Sequence, residues 1–466
     1  MRIGFKSKLT GLAVACALVA TPAAHAESLS DAMASAYKNS GLLDQNQALL
    51  RAADEDVAIA QARLRPVLSY AIQHTWIDPT TLVPNDDYWR TSATLTASVL
   101  LFNFGRGKMA VEAQKEAVLA TRDSLVGVEQ SVLLRAVNAF LNVRSASENV
   151  QLQANSVRVL TQELRAANDR FEVGEVTQTD VALAQARLAA ARSGEASAQG
   201  NLAIAREEYR AATGHYPGTL SAPPRFPMTA KTLDAAKAIA RERHPDLLAA
   251  QHNVRVTELA AEISKASMKP SLVGSASATW MDRTSASSSA DSTNTTVGIA
   301  LQGDIYSGGL KSAEYRKSIA QIDAAKAGLR QARIAVDQGV ANAWAQLAIA
   351  SASLEATDRQ IRASRVALRG AREEASLGSR TTLDVLNAEQ ELLDAEAARI
   401  TAQSNQYLAV YSLLSSMGLL TAEYLNLGVV AFDPEAYYNT VKSAPIYRVS
   451  PQGQRLDLVL EALGKK

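Results

Sequence analysis

Two periods of hydrophobic spacing alternate along this chain. Val111, Val118, Leu125 and Val132 fall seven residues apart, and Leu119, Val126, Leu133 and Phe140 form a flanking stripe at the same spacing. Val340, Leu347, Leu354, Ile361 and Leu368 repeat the pattern in the second half. A sustained period of seven packs helices side by side in the coiled-coil manner. The stretches that carry it cover residues 106–172 and 310–376. At about 1.5 Å per residue each makes a rod of roughly 100 Å, longer than a compact domain can hold. Each rod ends at a turn glycine, Gly174 or Gly378, and a second helix returns over 177–213 or 381–417. The Ala-rich run 182–191 lets neighbouring helices approach closely. A leading helix is predicted over 28–65 and again over 232–269. Pro66 and Pro270 stop them, because proline disfavours helix in the residue before it.

The second period is two. Over 91–101, Ala93, Leu95, Ala97, Val99 and Leu101 take one face, and Ser92, Thr94, Thr96 and Ser98 take the other. Over 67–77, Leu68, Tyr70, Ile72 and Trp76 share a face that His74 interrupts. Over 271–281, Leu272, Ala276, Ala278 and Trp280 oppose Ser271, Ser275, Ser277 and Thr279. Over 295–306, Val297, Ile299, Leu301 and Ile305 oppose Thr296, Gln302 and Asp304. Strands of about ten residues suit an outer-membrane barrel, and equally an amphipathic sheet over a core. Polar loops are predicted over 78–90 and 282–294, the second serine-rich through Ser285, Ser287, Ser288 and Ser289.

These elements occur twice in the same order. Pro66 matches Pro270 at an offset of 204 residues, and the same offset relates Trp76 to Trp280 and Asn138-Ala139-Phe140 to Asn342-Ala343-Trp344. It also relates Gly174 to Gly378, Asp180-Val181 to Asp384-Val385, and Gly214 to Gly418. The chain is a tandem duplication. The first repeat spans 27–218, a linker 219–231, the second repeat 232–418 and a mixed or irregular collar or tail 419–466.

Composition narrows the class. Lys+Arg total 48 and Asp+Glu 47, so no basic footprint for nucleic acid exists. The single cysteine, Cys16, excludes a disulfide framework and cysteine-based zinc sites. Arg2, Lys6 and Lys8, an apolar run to Ala20, and Ala24-His25-Ala26 have the layout of a secretory signal peptide over residues 1–26. Cleavage before Glu27 removes Cys16 and three basic residues, leaving 45 basic against 47 acidic, a net charge of −2. No later run reaches the length of a membrane-spanning helix. Such a chain is either soluble outside the cytoplasm or a membrane β-barrel. Four strands cannot close a barrel, and open edges are not tolerated in lipid, so the chain must oligomerise. Two copies give eight strands with a filled interior; three give twelve, with room for a pore.

At this point the residues resemble the TolC family of outer-membrane channel-tunnels, over about Leu29 to Gly418. The resemblance is carried by two turns, Phe171-Glu172-Val173-Gly174-Glu175-Val176-Thr177-Gln178-Thr179-Asp180-Val181 and Leu377-Gly378-Ser379-Arg380-Thr381-Thr382-Leu383-Asp384-Val385-Leu386-Asn387-Ala388. The strand end Tyr306-Ser307-Gly308-Gly309 is also similar, whereas Phe102-Asn103-Phe104-Gly105 departs from the usual Gly-Gly form. The first turn is most similar to members serving type I protein secretion. The resemblance implies a mixed, mainly helical fold: a homotrimer with a twelve-stranded barrel in the outer membrane, continued across the periplasm by a helical tunnel. It implies a passive conduit whose closed tip opens when a periplasmic adaptor and an inner-membrane ABC transporter or proton-driven pump dock. Secreted polypeptide is the expected cargo, with multidrug or small-molecule efflux as the alternative. A periplasmic coiled-coil adaptor or scaffold ranks below both, since it explains the heptads but not the paired strands.

The resemblance places Asp384 at the pore constriction, where a ring of carboxylates attracts cations. The family's second acidic ring falls on Asn387 and is neutral here. Arg380 matches a residue that ties neighbouring helices in the closed state, with Thr179 and Asp180 on the acceptor side. The family's aromatic partner is replaced by Ala375. Read without the family, Thr177-x-x-Asp180 and Thr381-x-x-Asp384 are capping boxes, and both roles can coexist. Trp76 and Trp280 are membrane-interface anchors or packing residues at the barrel-to-tunnel junction. Trp344 and Phe140 read as packing. His244 and His252 lack a third ligand nearby, so no metal or other cofactor is expected. The chain has no H-E-x-x-H, P-loop or nucleophile elbow, and no catalysis is expected.

Overall fold

The computed structural model describes residues 26–78, 87–227, 229–285 and 289–446, with Gln454 and Leu458 beyond them. The signal-peptide segment with Cys16, the centres of both polar loops and most of 447–466 lie outside the described residues. The first repeat contains α1 (Leu29–Asn39), α2 (Gly41–Ala62), β1 (Val67–Ile77), β2 (Tyr88–Phe102), α3 (Arg106–Glu172) and α4 (Gln178–Thr213). The second contains α5 (Leu233–Arg243), α6 (Pro245–Ala266), β3 (Ser271–Ser285), β4 (Ser289–Gln302), α7 (Leu310–Ser376) and α8 (Thr382–Ser416). A short α9 (Pro434–Val441) follows. Among the described residues no helix is long and apolar enough to cross a membrane.

The leading helix of each repeat is broken, against expectation. Ser40 leaves the helix and its hydroxyl accepts from Leu43 N–H, starting α2 afresh. In the second copy Pro245 occupies the first turn of α6, and the clash of its ring with the residue before it keeps His244 extended, out of the helical conformation.

The seven-residue stripe is the spine of the core. Val111, Val118, Leu125 and Val132 are buried, as are Leu133 and Phe140 from the flanking stripe. They join Leu29, Leu50, Tyr209, Leu413, Leu414 and Met417 in one cluster, with Trp344 packed against its rim. The helix α3 is the shared member: α1, α2, α4, α6 and α8 all pack on it. At Gly418, φ is +76°, and an added Cβ would meet the Arg243 carbonyl oxygen at 2.5 Å. Only glycine lets the end of α8 lie this close to the α5–α6 junction.

The sheet order is β1-β2-β3-β4, antiparallel throughout, with β2–β3 joining the two repeats. Register sorts the side chains cleanly. Tyr70, Leu95, Ala278 and Thr295 share one rung, and Ile72, Ala93, Trp280 and Thr293 another. The opposite face carries hydroxyls, with Thr94 and Thr279 bonded across the strands at 3.1 Å. Tyr70 is 81% exposed and Val297 79%, because β1 and β4 have no outer neighbour within the chain. Trp76 packs on Trp89 at 5.2 Å, and His74 stacks on Trp89 at 4.5 Å. These residues lie at the end of the sheet away from the helices, which excludes a packing role for Trp76 at the barrel-to-tunnel junction. The helix-proximal end carries Phe102 against Phe104.

Strand limits differ from the sequence pattern at both ends. Residues placed in polar loops, 88–90, 282–285 and 289–294, belong to the strands: Tyr88 and Trp89 favour the pleated backbone, and the polar residues of 282–285 and 289–294 continue the β3–β4 ladder. At the other end β4 stops at Gln302, leaving Ile305 exposed off the sheet. The next rung would pair Gly303 with Pro270, which has no N–H to give.

The segment after Gly418 is strapped to the first repeat. Ala422 N–H donates to Glu129 at 2.7 Å, and Tyr437 donates to Glu55 at 2.8 Å. Arg65 donates to the carbonyls of Ser443 and Ala444. Beneath α9, Asp54 is fully buried, and neither carboxylate oxygen has a hydrogen-bond partner among the described residues. Burial pushes its pKa up to about 6, against the pull of Arg122 and with Glu55 adding to the rise. The folded value lies above the ordinary carboxylate value, so the folded form binds a proton that the opened form releases. Stability present at low pH is lost as pH rises from about 4 through about 6. Opening of α9, read by amide hydrogen exchange corrected for intrinsic rate, should be roughly tenfold or more favoured at pH 8 over pH 5. Asp54→Asn should remove that difference.

Candidate functional site

The two long hairpins end in matching turns. Gly174 and Gly378 take φ of +78° and +75°, and the backbone closes through Glu175 N–H to Arg170 O and Ser379 N–H to Glu374 O. A left-handed residue at this point satisfies the last helix carbonyls, so both glycines act as turn residues. Each return helix then starts with a capping box. Thr381 N–H and Oγ1 donate to Asp384 Oδ2 at 3.0 and 2.8 Å, while Asp384 N–H donates back to Thr381 Oγ1. Thr177 and Asp180 repeat the arrangement. The Thr381 bonds hold the Asp384 pKa below the usual carboxylate value, with Arg380 adding to the effect. Asp180 is lowered by Thr177 in the same way. The Thr381 N–H and hydroxyl bonds to the Asp384 side chain both end on Oδ2, so capping leaves an ionised group at the tip.

Arg380 is engaged within its own hairpin, its Nε donating to Glu374 at 2.7 Å. Within the single chain it does not meet Thr179, which is exposed, or Asp180, which faces Thr177. Ala375 packs in the small cluster of Leu368, Ala371 and Val385 instead of offering a ring. Asn387 accepts from Arg187 of α4 at 2.9 Å. Leu386, beside it, is buried against Leu160, Val181, Ala184 and Leu188 of the first hairpin. The two tips are therefore joined by one leucine and one polar bond.

Sequence reading missed the charged ladder above this joint. Arg372 on α7 contacts Glu389 of α8 at 3.0 Å and Glu163 of α3 at 3.4 Å. Arg365 pairs with Glu396, and Asp358 with Arg399, both at 2.7 Å. Asp358, Arg365 and Arg372 are seven apart, as are Glu389 and Glu396, so the heptad repeat carried the signal. Burial raises the Glu389 pKa, Arg372 opposes that, and Glu163 and Glu396 add to it. The histidines lie elsewhere: His244 caps α6, and its pKa is lowered by burial. His252 pairs with Glu116 at 2.7 Å.

The profile of the family described as "Outer membrane efflux protein" matches residues 32–215 and 238–419, once in each repeat. Outer membrane efflux protein BepC of Brucella suis biovar 1 is 32% identical over 436 residues, covering 93% of this chain and 94% of that protein. Alkaline protease secretion protein AprF of Pseudomonas aeruginosa is 25% identical, covering 72% and 73%. The crystal structure of CusC superposes with a TM-score of 0.74 at 20% identity, covering 84% of this chain and 92% of that one.

Removing the Arg372 guanidinium leaves Glu389 half-buried without its cation; because Arg372 is itself 44% exposed and screened by solvent, the cost is about 1 kcal/mol. Arg372→Ala should lower thermal stability accordingly. Glu389→Gln in the same background should restore most of the loss, as a double-mutant cycle would measure.

Proposed function

This chain belongs to the outer membrane efflux protein family, and we propose that three copies of it form the exit duct of a tripartite export system. The family is one of passive outer-membrane channels, not enzymes, and the chain resides in the outer membrane with its helical part in the periplasm. The observation that carries the trimer is the sheet. One chain supplies four strands, an apolar face, a hydroxyl face and two open edges. Backbone groups at those edges cannot be left unpaired in hydrocarbon, and twelve strands give a closed wall around a pore.

In that assembly the paired hairpins converge on the threefold axis and Asp384 forms the constriction. The capped, ionised carboxylate supports a cation-preferring ring. Asn387, held by Arg187, leaves the next ring neutral. Arg380, Thr179 and Asp180 form the gate between neighbouring chains, with Glu374 as the partner Arg380 uses within its own chain. Opening requires an adaptor and an inner-membrane ABC transporter or proton-driven pump to pull the tips apart.

For cargo, secreted polypeptide is the first reading, supported by the first turn and by the likeness to AprF. Small-molecule efflux is favoured by a separate observation, the greater identity to BepC, whose name is that of an efflux protein. A chromosomal deletion in the source organism separates them. Loss of an extracellular polypeptide with unchanged drug susceptibility supports the first. At least fourfold greater drug susceptibility with an unchanged secretome supports the second.

In planar bilayers the purified protein should give discrete channels that prefer potassium to chloride. Asp384→Asn should bring the permeability ratio towards one, and Asn387→Asp should raise it. Channels whose selectivity ignores both changes would return Asp384 to capping alone. An absence of channels from folded protein would sink the duct.

A further inference from the structure

We infer that the cleft between α5, α6 and α7 docks an extended acidic segment of a periplasmic partner protein. The cleft is the twin of a groove that the chain's own segment after Gly418 covers in the first repeat. The helices α5, α6 and α7 each begin and end 204 residues after α1, α2 and α3. The cleft, about 420 Å³, is lined by Arg241, Leu247, Gln251, Leu329, Arg330 and Arg333. The positions 204 residues earlier are Tyr37, Leu43, Gln47, Leu125, Val126 and Glu129. The two leucines and the glutamine are unchanged, and each position that differs is arginine in the second copy. In the first repeat two of those differing residues hold the covering segment by its backbone. Phe432 N–H donates to the Tyr37 hydroxyl at 3.1 Å, and Ala422 N–H donates to the Glu129 carboxylate at 2.7 Å. Leu425, Leu427 and Phe432 pack against the same core that contains Leu43 and Leu125.

The second cleft keeps the apolar floor, with Leu247 buried and Leu329 half-buried, and inverts the polar rim. Acceptors have become guanidiniums, which only donate and which match carboxylates with paired N–H groups. Of the described residues that line the cleft, none is acidic. The acids beside it are engaged already. Arg241 takes both oxygens of Asp337, at 2.8 and 2.7 Å. Glu258 is shared by Lys326 at 3.2 Å and Arg255 at 3.4 Å. Asp234 acts on Arg241 only at longer range, as Arg333 and Lys237 act on Asp337. Arg330 is exposed and makes no hydrogen bond or ion pair among the described residues. Residues 447–466 of the chain do not suit this rim, since they carry Arg448, Arg455, Lys465 and Lys466 against Asp457 and Glu461. An acidic glycan would meet the arginines and leave the leucine floor uncovered. A polypeptide segment with carboxylates and aliphatic side chains answers both.

The test is fluorescence anisotropy with the detergent-purified protein and a labelled peptide of about a dozen residues in which glutamate and leucine alternate. The peptide should bind saturably, and its glutamine–leucine counterpart should bind roughly tenfold more weakly. Arg330→Val with Arg333→Glu installs the first repeat's residues and should raise the dissociation constant roughly tenfold. Arg359→Gln, on the same helix but away from the cleft, should leave it unchanged. If the double variant does not assemble, Arg330→Gln alone removes a side chain without a partner and should weaken binding about threefold. Equal affinity in the wild type and either cleft variant, or no binding by the wild type, overturns the docking site. Binding that appears only when the chain is cut after Ile446 assigns the cleft to residues 447–466 and overturns the partner. Polygalacturonate that displaces the peptide at equal carboxylate concentration assigns the cleft to a glycan and overturns it as well. The cleft is built within one chain, so these outcomes leave the duct reading to the bilayer channels.

Discussion

A β-sheet cannot end in hydrocarbon. Each unpaired N–H or C=O there costs several kcal/mol, since no water replaces the missing partner. This chain has a sheet with two bare edges and a large exposed apolar face, yet the helices it is attached to are ordinary water-facing amphipathic rods. The two halves therefore ask for different solvents. An isolated chain satisfies neither its strand edges nor its apolar face. Closure by other copies of the same chain meets both needs, and it also sets the helices side by side in a ring. The trimer we propose follows from that edge problem more than from any contact between helices.

The duplication explains how one chain meets the geometry. Each repeat supplies one strand pair and one helical hairpin, and the β2–β3 pairing fixes the repeats to each other at the membrane end. At the far end they are fixed by Leu386 and the Arg187–Asn387 bond. The copies have since diverged where their surroundings differ. Gly308 has φ of +61°, comfortable for glycine, while its counterpart Phe104 is held at +54°. That conformation is costly for a large side chain. The Phe104 ring is held by Phe102 and by the Lys269 ammonium, 4.8 Å from its centroid. The first copy thus exchanges backbone ease for an aromatic contact at the helix-proximal end of the sheet.

Much of this was legible in the residues themselves. The rods were, because a seven-residue period persists over each of them and no local event competes with it. The strand faces were, because alternation puts Leu95 with the apolar side chains on one face and Thr94 with the hydroxyls on the other. Element ends were harder. Ser40 breaks a helix through one hydroxyl bond, and β4 ends where its next partner would be Pro270, just ahead of β3, which is a tertiary fact. At the tips, the capping boxes were visible from spacing, but the partner of Arg380 was not. Glu374 lies six residues away across a turn, and only the folded turn brings them together. Asp54 was invisible for the same reason, since the segment that buries it is about 380 residues distant, as its neighbour's Tyr437–Glu55 bond indicates.

The placement of charge along the proposed pore has a physical logic of its own. A carboxylate stays ionised at a constriction only if something offsets its crowding by symmetry-related copies. The Thr381 hydroxyl and amide do this for Asp384, and Arg380 adds to it, all from within one chain. No neighbour is needed to keep the charge, so the charge survives when neighbours separate. Arg380 behaves differently. Its bond to Glu374 within the hairpin must compete with any bond to an adjacent chain, and both partners are exposed. An exposed ion pair contributes little, so exchanging one such partner for another has a small free-energy difference. A gate built on that exchange can be tipped by modest binding energy from a docked partner. The permanent charge and the movable one are thus set by different means only four residues apart on the same turn.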